Sequence, residues 1–281
     1  MLTDLLLGLI NAPALFRVGA FFLVWIGLWL PIAVPLAIAL KWRPPQPISP
    51  TQKLPLLASL YVLVPLLMWG VTALRGVAIA DYGFPVQLAL LPPISIGWLA
   101  GAVGLALMFA IEVGLGWVRW SPPTVPRYGL TVLLPTALIG LWVSVTEEVV
   151  FRGFLQTELQ SDYGWLGAGA IASLIFAVLH LVWEGKDNIP QLPGLWLMGM
   201  VLVLARWVNQ DQLGLAIGLH AGWIWAIASL DTLQTLTYTN KAPSWVTGLD
   251  HKPLAGLMGL LFLLATGLAL YAVQGAGHFA A

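Results

Sequence analysis

Apolar residues fall into eight runs separated by short polar or proline-rich breaks: roughly 16–40, 54–74, 94–118, 130–157, 165–183, 192–207, 212–230 and 254–273. A helix that crosses a bilayer needs about 20 mainly apolar residues, because backbone polar groups in hydrocarbon must be paired inside the segment itself. The pattern predicts an all-α fold, a polytopic membrane bundle of about eight transmembrane helices, forming a single integral membrane domain over 1–281. The sixth run is short and opens at Pro190 and Pro193, where a helix tolerates proline in its first turn. The stretch 86–94, with Pro92 and Pro93, is a candidate broken or re-entrant piece. Counting or omitting such pieces gives seven to nine spans.

The clearest connection is KWRPPQPISPTQK (41–53), and the longest runs over 231–253. Trp42, Trp117, Trp120, Trp165, Trp183 and Trp207 fall near predicted helix ends, as an interfacial aromatic belt would. With eight alternating spans, Lys41, Arg43, Lys53, Arg119, Arg127, Lys186, Lys241 and Lys252 collect on one side, and Arg17, Arg75 and Arg206 on the other. The excess of Lys and Arg marks the cytoplasmic side and puts both termini outside the cytoplasm. At the N-terminus, MLTDLLLGLINAPALFR has Asp4 where a signal peptide carries basic residues. Thr3 or Asp4 can cap a short helix with its leucines on one side, which predicts an interfacial helix ahead of the first span.

Composition agrees with this pattern. Of 281 residues 59% are hydrophobic and 9% charged, against about 25% charged in soluble domains. Net charge is zero, which gives no attraction for nucleic acid. The absence of cysteine removes disulfides, thiolate metal sites and a cysteine nucleophile together.

Against this background the stretch TEEVVFRGF (146–154) stands out. It ends an apolar run that carries no charge from Tyr128 to Val145. A charge at mid-bilayer costs about 2.5–3.5 kcal/mol on insertion scales. Glu148 and Arg152 are four residues apart and can pair on one helix face. Glu147 is rotated by about 100° from Glu148 and has no such partner in sequence. Two histidines also lie in apolar runs, His180 in SLIFAVLHLVW and His220 in LAIGLHAGWIW. His251 and His278 fall in a loop and the tail, and solvated histidine is the ordinary reading there. Two carboxylates and two imidazoles from three helices at comparable depth can form one polar site. Gly164, Ala168 and Ala172, and Gly214, Gly218 and Gly222, recur at helical spacing and let helices approach closely. His220 is about 200° around its helix from Gly218 and Gly222 and faces away from that stripe. A further acid, Glu112 in MFAIEVGLGW, could pair with Arg152 or line the cavity, but snorkelling toward the interface near Trp117 is the default reading.

Such a set suits hydrolysis by activated water. A carboxylate can serve as general base, histidine can share or steer the proton, and a second donor can stabilise an oxyanion. Glu147, Glu148, His180 and His220 could equally hold Zn²⁺ with a position open for water, although no HExxH signature is present. Spacing alone does not choose between these routes.

The motifs carry a resemblance. Glu147-Glu148-x-x-x-Arg152 resembles the EExxxR motif of the CPBP family of membrane proteins, which includes the type II CAAX prenyl endopeptidases and bacteriocin-immunity relatives. Phe176-x-x-x-His180 is similar to its FxxxH motif, and His220 to the histidine of its HxxxN motif. The resemblance covers about 130–230, the expected catalytic core. It implies a membrane endopeptidase acting on a membrane-embedded or lipid-anchored peptide or protein in the lipid bilayer. It also implies roles: Glu147 as general base on water with His180 beside it, Glu148 and Arg152 orienting and neutralising the site, and His220 stabilising the oxyanion. One position departs: Ile224 stands where the third motif has Asn or Asp. Asn188 and Asn209 are the amides that could substitute. Two other classes stay open: a non-catalytic membrane scaffold or immunity-type protein, favoured by Ile224, and a proton-coupled transporter, for which paired carboxylates and histidines would form a relay.

Overall fold

The computed structural model describes residues 8, 11–43, 46, 48–121 and 128–279. The expected N-terminal interfacial helix, with Thr3 and Asp4, lies outside the described residues, as does Arg127. Helix α1 (Ala14–Ala39) begins after Pro13. Its Ala14 amide donates to Asp162 at 2.7 Å, so a distant carboxylate satisfies a first-turn donor that has no partner inside its own helix.

Helix α2 (Pro50–Tyr61) opens on a capping box formed by Ser49 and Gln52. It breaks at Tyr61 and resumes as α3 (Val64–Arg75). The cause is Pro65, four residues after Tyr61, which has no N–H to give the Tyr61 carbonyl. Trp25 of α1 clamps the break by donating its indole N–H to Leu60 O at 3.0 Å. Helix α4 (Leu91–Gly114) takes Pro92 and Pro93 in its first turn. The stretch 86–94 is therefore not a separate re-entrant piece: one 3-10 turn, Leu88–Leu90, leads straight into α4.

Helix α5 (Tyr128–Glu148) passes without interruption into seven residues of π-helix, Val149–Leu155, and then into α6 (Gln156–Glu184). The break between the fourth and fifth apolar runs comes inside α6, at Gly164 with φ 66°. Helices α7 (Leu192–Val208), α8 (Gly214–Thr232) and α9 (Leu257–Phe279) complete the bundle. Among the described residues the fold is helical, as expected, with one two-stranded ribbon. Strands β1 (Val118–Trp120) and β2 (Leu236–Tyr238) pair antiparallel, with Val118 opposite Tyr238. Among the described residues six stretches are long and apolar enough to cross a membrane, and one of them, Gly129–Val208, contains several helices.

Glycine contacts fix which helices are neighbours. Helices α4 and α8 run parallel with backbones touching: a Cβ on Gly218 would lie 2.2 Å from Ile94 O, and one on Gly222 would lie 2.3 Å from Trp98 O. On its other side α8 meets α5 antiparallel: His220 bonds Glu148 at 2.8 Å, a Cβ on Gly140 would lie 3.3 Å from Ala221 O, and the Ser229 and Thr136 hydroxyls are 2.9 Å apart. Helices α6 and α7 also pack antiparallel, through Gly169 against Val203 and Gly199 against Ser173. These seams place the end of α5, the middle of α6 and the start of α8 around one buried volume.

Candidate active site

Glu147 and Glu148 are the last two residues of α5, where the α-helix widens into the π segment. All seven residues of that segment are buried, and such wide turns recur at functional sites. Arg206 of α7 holds the segment from outside. Its guanidinium donates to the carbonyl of Arg152, to Thr157 Oγ1 at 3.1 Å and to Asp211 O at 3.1 Å. Arg206 is therefore a buried structural cation, 5% exposed. Arg17, another of the cations used to assign sides, pairs with Glu158 at 2.6 Å.

The EExxxR spacing works as the helix geometry predicts. Arg152 Nη1 donates to Glu148 Oε1 at 3.0 Å, with both side chains fully buried. The same oxygen accepts from His220 Nδ1 at 2.8 Å. An ionised carboxylate only accepts, so Nδ1 carries the proton and the opposite nitrogen, Nε2, is turned outward. That nitrogen lies 3.7 Å from Glu147 Oε2, and the other Glu147 oxygen, Oε1, accepts from the hydroxyl of Tyr61. His220 does face away from the glycine stripe, which packs on α4.

Phe176 organises the rest. Arg152 Cζ sits 4.5 Å over its ring, a cation–π contact. The rings of His180 and His220 stand edge-on to it at 4.6 and 6.1 Å. His180 Nδ1 donates to the Phe176 carbonyl at 2.8 Å, which leaves Nε2 as its outward atom. Glu147 and His180 both line an open groove of about 270 Å³, walled by Trp25, Trp29, Tyr61 and Trp183 among others. No hydrogen bond or ion pair joins His180 to Glu147 among the described residues. His220 approaches Glu147 to 3.7 Å, and His180 shares the groove with Glu147.

Three further expectations change. Glu112 does not snorkel and does not pair with Arg152: it is 0% exposed at the end of α4, and it acts on Tyr238 of β2. Neither amide replaces the one missing at position 224. Asn188 bonds Gln191, and Asn209 Nδ2 donates to Gln212 O at 3.2 Å. Ile224 itself packs toward Gly140 of α5. For the zinc route, no group of three or more His, Cys, Asp or Glu side chains is arranged to hold a metal ion among the described residues. In the set Glu147, Glu148, His180 and His220, the bonded carboxylate oxygen of Glu148 is shared by Arg152 and His220, and His180 turns one nitrogen to its own helix. A histidine that holds a metal also bonds its second nitrogen in this way, so these hydrogen bonds do not choose between the zinc and the metal-free route.

Residues 129–226 match the family model of the type II CAAX prenyl endopeptidases, Rce1-like. The matched stretch holds Glu147, Glu148, Arg152, Phe176, His180 and His220, and it runs from α5 to α8. No curated protein and no solved structure matches the chain. Together with the six apolar stretches, the match supports a membrane protease in general. Tyr61 lies outside the matched residues and was missed by the sequence reading. Its signal was faint: one hydroxyl inside an apolar run, four residues before a proline.

Proposed function

We propose that this chain is an intramembrane endopeptidase in which Glu147 activates the attacking water. The observation that carries the reading is the buried line Arg152–Glu148–His220–Glu147, which ends on an apolar groove. Glu147 Oε2 and His220 Nε2 are 3.7 Å apart, too far to bond each other directly. One oxygen atom placed off the line between them can bond both at about 2.8 Å.

In the reaction, Glu147 takes a proton from that water as the oxygen attacks the peptide carbonyl carbon. The carbonyl oxygen becomes an oxyanion, and His220, protonated on both nitrogens, donates to it from Nε2. Glu148 stabilises the imidazolium through Nδ1, and Arg152 balances Glu148. When the C–N bond breaks, Glu147 passes its proton to the leaving amine. His180, on the same groove, accepts the water's second hydrogen. The aromatic groove suits the apolar part of a lipid-anchored or membrane-embedded peptide, which is the substrate class that the matched family's description suggests.

The test is cleavage of a panel of membrane-tethered peptides by purified protein in proteoliposomes. Glu147→Gln is expected to abolish cleavage while thermal stability is retained, and a chelator is expected to leave the wild type active. Wild-type cleavage rates in Glu147→Gln would refute the proposal. The scaffold reading has one observation of its own: position 224 presents a methyl group to α5 rather than an amide. A folded wild type that cleaves none of the panel would favour it.

A further inference from the structure

We infer that Tyr61 is a positioning residue for Glu147: its phenol holds one carboxylate oxygen so that the other is turned to His220. The inference rests on the proposed role of Glu147 and extends it to a residue 86 positions upstream.

The local sequence explains how Tyr61 comes to be held. Pro65 ends α2 at Tyr61, and Trp25 seizes the neighbouring Leu60 carbonyl at 3.0 Å. The backbone that carries the phenol is thus fixed by a second helix. Its ring packs edge-on to Trp142 of α5, with centroids 5.7 Å apart and planes at 61°. Trp142 lies on the same helix as Glu147, so α5 sets the position of the donor and of the acceptor. Tyr61 is 8% exposed. Its hydroxyl reaches Glu147 Oε1 while Oε2 faces His220, so the two contacts together define the plane of the carboxylate.

Tyr61 also divides two apolar grooves. One, of about 270 Å³, contains Glu147 and His180. The other, of about 520 Å³, lies behind it, with Met68, Trp69, Phe84 and Val149 in its wall. Tyr61 and Thr146 line both. Thr146 is committed to its own helix, its hydroxyl donating to Trp142 O at 2.9 Å. A carboxylate on the wall of an apolar groove needs a donor to hold one rotamer, and Tyr61 is the residue that supplies it. Tyr61→Phe leaves the ring and its packing and removes only that hydrogen bond.

The experiment has two arms. In the first, a farnesylated CaaX peptide carrying a fluorophore–quencher pair is the probe, in proteoliposomes. Tyr61→Phe is expected to lower kcat about ten- to hundredfold, with KM within about twofold of wild type, because misplacing a base affects the chemical step and not binding. The thermal midpoint should stay near wild type, which separates positioning from a structural role. An unchanged kcat, or a loss confined to KM, overturns the inference. The second arm needs no turnover. In infrared spectra of protein with ring-labelled tyrosine, the C–O stretch of Tyr61 is the band missing in Tyr61→Phe. It is expected to shift in Glu147→Gln, where an amide replaces the carboxylate acceptor, and an unmoved band overturns the inference. If Glu147→Gln cleaves the probe normally, the proposed function fails, and the infrared band still decides whether Tyr61 holds Glu147.

Discussion

Replacing Arg152 by methionine tests whether the buried charges act as one unit. Arg152 and Glu148 are both fully buried and 3.0 Å apart, so the single change strands a carboxylate inside the bundle. Breaking a buried pair by removing one partner costs about 3–5 kcal/mol, mostly from the charge left behind. The contact of Arg152 with Phe176, 4.5 Å from guanidinium carbon to ring centre, adds up to about 2 kcal/mol when desolvated. The double variant Glu148→Gln/Arg152→Met removes both charges. It should lose only the Phe176 contact and some packing, because glutamine can still accept from His220. The double is therefore expected to be more stable than the single by about 3–5 kcal/mol, the cost of the stranded charge. At about 2 °C per kcal/mol for a chain of this size, the single variant should melt roughly 6–14 °C below wild type, and the double should recover most of the loss. The assay is thermal unfolding in detergent, followed by the fluorescence of the 15 tryptophans. Neither variant should cleave the probe peptides, since His220 loses its ionised partner in one and its neutralised frame in the other. A double variant no more stable than the single would refute the reasoning, because Glu148 would then not have been a stranded charge.

Two further outcomes are expected. Gly218→Ala places a Cβ 2.2 Å from Ile94 O and 2.8 Å from Trp98 N. Only the backbones of α4 and α8 can yield, so the thermal midpoint should fall by at least several degrees, and an unchanged midpoint would contradict the glycine seam. Outside the spans, Tyr238 has its phenol pushed up to about 12, first by burial and then by the nearby Glu112. Its ultraviolet titration, taken as wild type minus Tyr238→Phe, should therefore have its midpoint near pH 12, and Glu112→Gln should lower it. A midpoint near 10 in the wild type would show that Tyr238 is open to water.

The sequence determined the class of molecule and the chemistry-bearing core of the site. Apolar runs of spanning length allow few structures other than helices, because lipid offers the backbone no partners. The Glu148–Arg152 pair was legible because four residues on a helix return to the same face. The direction of His220, opposite the glycine stripe, was legible for the same reason. These facts are local: about 100° of rotation per residue fixes them before any helix meets another. Tertiary structure decided everything that depends on neighbours. The close approach of α4, α5 and α8 at their glycines put His220 beside Glu147, with His180 on the same groove. A proline break 86 residues upstream brought in the Tyr61 hydroxyl. Arg206 became the clamp of the π segment instead of a loop charge, and Glu112 was buried against β2 instead of reaching for the interface. None of these four could be read from spacing, because apolar helices in lipid have similar faces all round. Their partners are chosen by small differences in shape, which are defined only once the helices are packed.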